Sequence, residues 1–321
     1  MGALRVGTSG WSYPGGKGTW NGVFYPKRGG GRRGGFDELA FYAERFDTVE
    51  INSSFYGPPR PEVSRDWVRR TPAAFEFSLK LYQKFTHPSM YKAGRLKDVP
   101  GTPEQLDALA RVNQADVDVF RGAIDPLASG GKLGALLAQF PASFKDAPES
   151  RAHLEWLLAT FRDYPVAVEL RHRSWSDDLA GTLMLLNAFG AALVQIDEPK
   201  FRLSIRQNQL PNVKGFYYMR LHGRNAAEWW RHRSSEDRYN YLYSADELKP
   251  IVESAVAARE LVRKAYLYLN NHFAAKSVAN AAMVKDMIGD PVGAELPAEL
   301  TAAYPPLAPV AARVPVERKR V

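Results

Sequence analysis

The amino-acid sequence predicts a single α/β domain of the TIM type, a (β/α)8 barrel with a polar pocket at the C-terminal ends of its strands. Three observations support this prediction. Eight strand-like runs follow one another along the chain. Segments of helix length separate most of them, and such alternation is typical of parallel sheets. Many of the runs also turn polar near their C-terminal ends, where the active sites of TIM barrels lie.

The predicted strands and helices alternate along most of the chain. The strands are LRVGTSG (4–10), TVEINSS (48–54), FEFSLK (75–80), LGALLAQF (133–140), VAVELRH (166–172), AALVQID (191–197), FYYMRLHG (216–223) and AYLYLNNH (265–272). Helices are predicted over residues 36–46, 61–70, 103–122, 150–162, 177–189, 245–263 and 276–288. The stretch 198–215 has no helical pattern, so an irregular crossover is expected there.

One barrel domain is predicted over residues 1–290, with its first strand beginning near residue 4. The remaining residues, 291–321, are rich in Pro and Ala. We expect this tail to form an extended wrap or a frayed end and not a second domain.

Composition excludes several classes of protein. The chain has 321 residues, 45% of them hydrophobic and 24% charged, which is typical of a globular protein with a sizeable core. It has no cysteine, which excludes disulfides, thiolate metal sites and a cysteine nucleophile, and which fits a reducing cytoplasm. No apolar run is long enough to cross a membrane, and the N-terminus lacks a signal-peptide pattern. We therefore expect a cytoplasmic protein without membrane contact.

The net charge of +8 raises the question of an anionic partner. Part of the excess lies in a glycine-rich loop with Lys27, Arg28, Arg32 and Arg33, and part in the ERKR sequence near the C-terminus. We interpret these charges as a solubility feature. A nucleic-acid surface is the alternative.

The polar residues of the strand runs share one face. Successive side chains of a strand point to opposite faces, so Val49 and Ile51 lie opposite Glu50 and Asn52. The same alternation places on the polar face Lys80, Gln139, Glu169, Arg171, Asp197, Arg220, His222, Asn270 and His272. We expect the apolar faces to pack on the helices and the polar faces to converge inside the barrel mouth.

Seven motifs give the chain a resemblance to a known family. They are GTSGWSY, FDTVEINSSFY, QFP, ELRHRSW, YMRLHGR, YNYLYS and NNHFAAKSVANA. From about residue 6 to residue 287 the chain resembles the DUF72 family, also called YecE-like. The resemblance implies a TIM-barrel-like fold, in agreement with the strand count. It implies no particular reaction.

Glu50 and Glu169 are predicted as catalytic acid–base residues. If they face each other across the mouth, their like charges would raise the pKa of one of them. The structural alternative is that each carboxylate is paired with an inward arginine. His222 is a further catalytic candidate.

Lys80 is also predicted as catalytic, because a desolvated lysine at a strand end can form a Schiff base or carry a proton. The alternative is a lysine that neutralises Glu50 or Glu76.

The remaining candidates are predicted to bind substrate. Arg171 and Arg220 could grip a carboxylate or phosphate, or could serve only as structural partners of acids. Asn270, Asn271 and His272 lie where TIM barrels often bind phosphate, before the last predicted helix. The set is completed by Asn52, Gln139, Trp175 and Asp197.

Aromatic residues are expected at the mouth of the barrel, either stacked on a sugar or base or packed within loops. They are Trp11, Tyr13, Phe55, Tyr56, Trp175, Trp229 and Trp230.

No cofactor is expected, and a divalent metal is an open alternative. Its ligands would come from Glu50, Glu169, Asp197, His222 and His272, a mixture that suits Mg, Mn or Zn. The sequence contains no compact metal motif such as H-E-x-x-H.

Two functions from different classes follow from these residues. The first is an enzyme that acts on a small anionic substrate, such as a phosphorylated or acidic sugar, by acid–base chemistry. The alternative is a nucleic-acid-binding protein or metal-dependent nuclease on the same barrel, and a binder that senses a metabolite is a third hypothesis.

Overall fold

Parallel strands form a nearly closed barrel in the computed structural model, which describes residues 2–27, 35–229, 234 and 236–313. The strands are β1 (Ala3–Ser9), β2 (Thr48–Ile51), β3 (Glu76–Lys80), β4 (Leu133–Gln139), β5 (Val166–Glu169), β6 (Ala192–Leu193), β7 (Gln195–Asp197), β8 (Phe216–Leu221) and β9 (Lys264–Leu269). Their order in the sheet is β6-β5-β4-β3-β2-β1-β9-β8-β7, and each neighbouring pair is parallel. The predicted TIM-type barrel is confirmed.

The predicted sixth strand is divided into β6 and β7 at Val194. β6 pairs with β5, whereas β7 pairs with β8, so this segment joins the two ends of the sheet. Two side-chain amides from the irregular stretch that follows accept hydrogen bonds from backbone N–H groups of this segment. Asn212 Oδ1 accepts from the Leu193 N–H at 2.7 Å, and Gln207 Oε1 accepts from the Ile196 N–H at 2.9 Å. These side chains replace part of the sheet ladder at the closure.

Helices separate most of the strands. They are α1 (Glu38–Ala43), α2 (Pro61–Arg69), α3 (Gln83–Thr86), α4 (Pro88–Arg95), α5 (Pro103–Ala110), α6 (Gln114–Ser129), α7 (Pro148–Thr160), α8 (Ser174–Asp177), α9 (Leu179–Ala188), α10 (Ala245–Arg259), α11 (Lys276–Met287), α12 (Ala298–Ala303) and α13 (Ala308–Ala311). None of the helices in the described ranges is both long enough and apolar enough to span a membrane.

The helix predicted over residues 103–122 is wrong in its extent, because the chain forms two helices there. Asn113 accepts a hydrogen bond from the Asp116 N–H, and the Asp116 carboxylate accepts one from the Asn113 N–H. This reciprocal capping box starts α6 at Gln114 and interrupts the longer pattern. The crossover after β7 has no helix between residues 198 and 215, as predicted.

The Pro/Ala-rich tail, described as far as Arg313, is more ordered than the extended or frayed segment that we expected. It contains α12 and α13, and Leu300, Leu307 and Val310 are buried in the core. The Tyr304 hydroxyl donates a hydrogen bond to the Ala274 carbonyl. Apolar side chains at these positions hold the tail against the barrel.

The predicted alternation places polar side chains inside the barrel. At its N-terminal end, the Tyr266 hydroxyl donates to Glu76 Oε2 at 2.5 Å. One layer higher, the Tyr268 hydroxyl lies 2.7 Å from Thr48 Oγ1 and 2.9 Å from Ser78 Oγ. Each of these buried polar groups has a hydrogen-bond partner, which offsets the cost of its removal from water. The layers below the site are therefore stable although they are polar.

Strand β1 passes so close to β2 that only glycine fits at position 7. A Cβ atom on Gly7 would lie 2.1 Å from the Thr48 carbonyl oxygen. We expect Gly7→Ala to force the strands apart and to lower the free energy of unfolding by about 3 kcal/mol. Urea denaturation measures this change.

Gly122→Ala is the matched control, because a Cβ atom there meets nothing within 4 Å inside helix α6. It should raise the free energy of unfolding by up to about 1 kcal/mol. Equal effects of the two substitutions would contradict the close approach of β1 and β2.

Candidate active site

Arg220 lies at the centre of the barrel mouth, at the end of β8, with 1% of its side chain exposed. Its Nη2 donates to Glu50 Oε1 at 2.7 Å, and its Nη1 donates to Glu169 Oε2 at 2.5 Å. Nη1 also lies 2.8 Å from Gln139 Oε1. The guanidinium therefore joins β2, β4, β5 and β8 through inward-facing side chains.

The two carboxylates have further partners. Glu50 accepts from the Ser9 hydroxyl and the Tyr218 hydroxyl, both at 2.7 Å. Glu169 Oε1 lies 2.6 Å from Arg171 Nη2. Each carboxylate is fully buried, so these partners offset the cost of removing its charge from water.

Arg171 extends this chain of charges to Glu198, whose Oε2 lies 3.0 Å from Arg171 Nη1. We call the five residues Glu50, Arg220, Glu169, Arg171 and Glu198 the charge network. Both arginines are occupied by carboxylates, which is the structural role left open by the sequence.

The expected pKa increase from like charges is wrong for Glu169. Burial alone would raise the pKa of this carboxyl, but Arg220 and Arg171 hold it well below its usual range. The reason is that Arg220 lies between Glu50 and Glu169, so each carboxylate faces a cation. The pKa of Glu198, by contrast, is raised by burial.

His222 is held beside the charge network and is completely buried. Asn270 Nδ2 lies 2.8 Å from its Nδ1, and Glu169 Oε1 lies 3.5 Å from its Nε2. Burial lowers the pKa of His222 to about 3, so the ring is neutral at pH 7. Arg171 Nη2 also lies 3.2 Å from His222 Nε2, so both ring nitrogens are in contact with polar side chains of the site.

A cavity of about 190 Å³ opens above the charge network. Most of its lining comes from the ends of different strands and the loops that follow them. The lining residues are Tyr13, Asn52, Phe55, Tyr56, Lys80, Gln139, Arg220, Tyr239, Asn270 and His272. Six of the predicted site residues are among them: Asn52, Lys80, Gln139, Arg220, Asn270 and His272.

Lys80 differs from the other charged groups of the site. Its Nζ makes no hydrogen bond or ion pair with the residues that the structure describes, and it lies 4.1 Å from the centroid of the Phe55 ring. The expected alternative partners are occupied elsewhere, since Glu50 binds Arg220 and Glu76 binds Lys264. Burial, assisted by the charge of Arg220, lowers the pKa of Lys80 to about 7.

Aromatic rings form one wall of the cavity. The His272 ring stacks on Tyr13 with centroids 4.3 Å apart, and Tyr239 lies on it with centroids 4.8 Å apart. Burial lowers the pKa of His272 to about 4. Three buried polar atoms of the lining residues, His272 Nδ1, Asn52 Oδ1 and Arg220 Nε, have no hydrogen-bond partner among the described residues.

Four predicted binding residues lie outside the cavity: Arg171, which belongs to the charge network, and Trp175, Asp197 and Asn271. Trp175 is buried against Phe144, and its Nε1 donates to the Phe144 carbonyl at 2.9 Å. Asp197 is held by Arg224 and by the Tyr243 hydroxyl. Asn271 Nδ2 is occupied by Tyr241 and Asn280, so it does not offer a donor for phosphate.

Two other expectations concern residues away from the pocket. Trp11 packs edge-on against Trp67, with centroids 5.5 Å apart, instead of lining the cavity. Trp230, most of the basic glycine-rich loop and the ERKR sequence fall outside the described residues.

Sequence reasoning missed Glu198 and Tyr239. Glu198 directly follows β7 on the parity assigned to the apolar face, yet its carboxylate lies 3.0 Å from Arg171 Nη1. Tyr239 belongs to a short 3-10 turn in the loop after β8, where no strand parity applies. The quoted motif YNYLYS, which begins at Tyr239, was the available signal.

The five metal-ligand candidates are not gathered around one point. Within the described ranges, no group of three or more His, Cys, Asp or Glu side chains is placed to hold a metal ion. Glu50 and Glu169 instead bind Arg220, and the His272 ring packs against Tyr13 and Tyr239.

Comparisons with known proteins agree with this architecture. The family model described as "Protein of unknown function DUF72" matches residues 5–302. The UPF0759 protein YunF of Bacillus subtilis (strain 168) is 26% identical over 300 residues, which cover 89% of this chain and 94% of YunF.

Two solved structures share the fold. A DUF72 family protein from Thermotoga maritima is 31% identical, with 89% of this chain and 99% of that chain covered and a TM-score of 0.70. A DUF72 family protein from Enterococcus faecalis is 23% identical, with 89% and 96% covered and a TM-score of 0.71.

Removal of the Arg220 charge should strongly destabilise the barrel. Arg220→Gln leaves Glu50 and Glu169 buried without their shared cation, so we expect the free energy of unfolding to fall by roughly 3–5 kcal/mol. Arg65→Gln is the control, because Arg65 and Glu62 form an exposed pair worth at most about 1 kcal/mol. Similar losses in urea denaturation would contradict the central role of Arg220.

The low pKa of His272 predicts a pH dependence of stability. The unfolded chain binds a proton at this residue below its ordinary pKa of about 6.5, whereas the folded protein does not until about pH 4. The free energy of unfolding should therefore fall by about 1 kcal/mol, through His272 alone, as the pH is lowered from 7 to 5.5.

His272→Phe preserves an aromatic ring between Tyr13 and Tyr239 but does not titrate. We expect its free energy of unfolding to fall less than that of the wild type over this pH range, by about 1 kcal/mol. Urea denaturation at each pH measures the free energy of unfolding. If this free energy depends on pH in the same way in both proteins, the burial of a neutral His272 is contradicted.

Proposed function

The chain belongs to the DUF72 family, and we propose that it is an enzyme that acts on a small, anionic, sugar-like substrate by acid–base chemistry at Lys80. The observation that carries this proposal is the free Nζ of Lys80 in the cavity, with a pKa lowered to about 7. A group with a pKa near the working pH is present in both protonation states, so it can donate and accept a proton.

The charges of the lining residues favour an anionic substrate. Lys80 and Arg220 contribute two cations, and no carboxylate belongs to the described lining. The carboxylates beneath are paired with Arg220 and Arg171. A carboxylate or phosphate group would therefore meet a cation at Lys80 without facing an unpaired acid.

The size and chemistry of the cavity favour a sugar-like molecule. A volume of about 190 Å³ suits a single small molecule better than a nucleic-acid strand. The amides of Asn52, Gln139 and Asn270 can bond to hydroxyl groups, while Tyr56 and Tyr239 offer ring faces to the apolar side of a sugar.

The charge network has a positioning role in this proposal. Glu50, Glu169, Arg171 and Arg220 hold one another, so they fix the strand ends and the electrostatic field around Lys80. His222 is neutral and completely buried, and it keeps Asn270 in place. Proton transfer to the substrate is assigned to Lys80, whose amine has no competing partner in the described ranges.

Lys80→Met should abolish ligand binding without harming the fold. Methionine has a similar length and no charge, so the apo protein should be as stable as the wild type or more stable. A panel of sugar phosphates, aldonic acids and uronic acids at 10 mM tests binding through the melting temperature. A ligand at about 100 times its Kd stabilises by about 2.7 kcal/mol, and this increase should vanish in the variant.

Lys249→Met is the matched control, since Lys249 is exposed on α10 and lies outside the lining. It should retain the full stabilisation by any ligand that the panel identifies. Proton NMR in D2O then tests turnover of that ligand, either by loss of a C–H signal or by a new product. The proposal fails if no compound stabilises the wild type, or if the active compounds also stabilise Lys80→Met.

A further inference from the structure

We propose that Lys80 forms a covalent imine with the carbonyl carbon of an open-chain hydroxyaldehyde or hydroxyketone, and that Asn52 Oδ1 accepts a hydrogen bond from a hydroxyl of the same molecule. This inference deepens the proposed function and rests on it, because it assigns a reaction class and a substrate class to the same cavity. It is carried by one amine and one acceptor, neither of which has a partner among the residues that the structure describes.

The Lys80 amine is free, although the backbone that carries it is fixed. Lys80 ends β3, where its carbonyl accepts from the Ser54 hydroxyl at 2.6 Å. The next residue, Leu81, donates its N–H to the Leu137 carbonyl at 2.9 Å. The Nζ beyond this anchored backbone contacts the Phe55 ring and lines the cavity. An approaching carbonyl therefore meets an amine that no acceptor holds.

Three buried lysines elsewhere in the protein show the contrast. Lys84 pairs with Asp116 at 2.7 Å, and Lys285 pairs with Asp290 at 2.6 Å. Lys132 donates to the Val68 carbonyl and to both oxygens of Thr71 within 2.9 Å. Each of these amines therefore forms an ion pair or hydrogen bonds that stabilise the folded protein. A structural role of that kind is not found for the Lys80 amine among the described residues.

The protonation state supports attack by this amine. With a pKa of about 7, roughly half of the Lys80 side chains are neutral at pH 7. An ordinary lysine, with a pKa of about 10.4, is neutral in fewer than about one molecule in a thousand at that pH. Nucleophilic lysines in other enzymes are activated in this way, by desolvation or by a neighbouring cation.

Asn52 supplies the preference for a hydroxylated substrate. Its Oδ1 is buried and has no hydrogen-bond partner within the described part of the chain, and the residue lines the cavity together with Lys80. The side chain does not cap the Ser53–Phe55 turn that it precedes. Buried polar atoms are rarely left without a partner, so this oxygen is placed for a donor that a ligand brings.

The covalent step balances without a further reagent. The neutral amine adds to the carbonyl carbon and gives a carbinolamine, which loses water as the C–N double bond forms. The charged lysine and the carbonyl compound thus give a protonated imine and one water molecule. The protonated imine withdraws electrons from the adjacent carbon, which weakens its C–H bond. The reaction class is therefore imine formation at a carbonyl carbon, in which the C–O double bond is broken, the C–N double bond is formed and water leaves.

Reductive trapping tests the imine directly. The full chain is incubated at pH 7 with sodium cyanoborohydride and one of three probes: dihydroxyacetone phosphate, dihydroxyacetone or acetone. Intact mass and peptide mapping then report which lysines carry the probe. We expect Lys80 to be labelled by the hydroxylated probes at least tenfold faster than exposed Lys249, and Lys80→Met to lose this fast label while Lys249→Met retains it.

Asn52→Ala tests the hydroxyl contact. We expect dihydroxyacetone to label Lys80 at least fivefold faster than acetone in the wild type, and this preference to disappear in the variant. Labelling spread over exposed lysines with Lys80 unmodified would overturn the imine, and this result does not depend on any variant folding. An unchanged preference in Asn52→Ala would overturn the assigned hydroxyl contact.

The two proposals fail in different ways. If a sugar phosphate or sugar acid stabilises the wild type but not Lys80→Met, and no probe labels Lys80, the imine is wrong and the acid–base function stands. If Lys80 is labelled but no anionic sugar stabilises the wild type, the anionic substrate is wrong and the imine stands.

Discussion

The site depends on one buried cation, Arg220, and on the two carboxylates that it separates. The guanidinium bonds to Glu50 and Glu169 and so connects strands that lie apart in the sheet. Without it, two negative charges would be buried in the same region at a large cost in free energy. When Arg220 pairs with both carboxylates, this cost is offset, and a polar cavity can form at the strand ends.

The absence of an acidic partner for Lys80 among the described residues follows from the same arrangement. Arg220 and Arg171 occupy Glu50 and Glu169, so neither carboxylate pairs with the lysine, and burial together with the charges of the two arginines lowers its pKa. An unpaired amine, together with the unpartnered atoms of Asn52 and His272, reduces stability at this place. Local costs of this kind are typical of functional sites, where preorganised groups await a ligand.

The aromatic wall places further constraints on the cavity. His272 lies between Tyr13 and Tyr239, and its pKa is lowered by burial, so the ring adds no charge at neutral pH. Positive charge among the described lining residues therefore comes from Lys80 and from Arg220, which is already neutralised. A small site with one available cation favours a ligand with a single anionic group.

The sequence by itself determined the barrel and the inward face of its strands. Alternation along a strand is a local property, so TVEI and FYYMRL were enough to turn Glu50 and Arg220 inward. Lys80, Asn52, Gln139, Asn270 and His272 were placed in the pocket for the same reason. The division of AALVQID at Val194 was not predictable, because it depends on amides from the irregular stretch after the strand.

Only the tertiary structure decided which charges are paired and which is free. Glu50 and Arg220 are 170 residues apart, and their 2.7 Å contact depends on strand register and barrel closure, which no local pattern encodes. Trp175 shows the same limit, because its position shortly after β5 did not reveal that it packs against Phe144 outside the cavity lining. Pairing energies depend on distances of a few ångströms between remote segments, and those distances are set when the barrel closes.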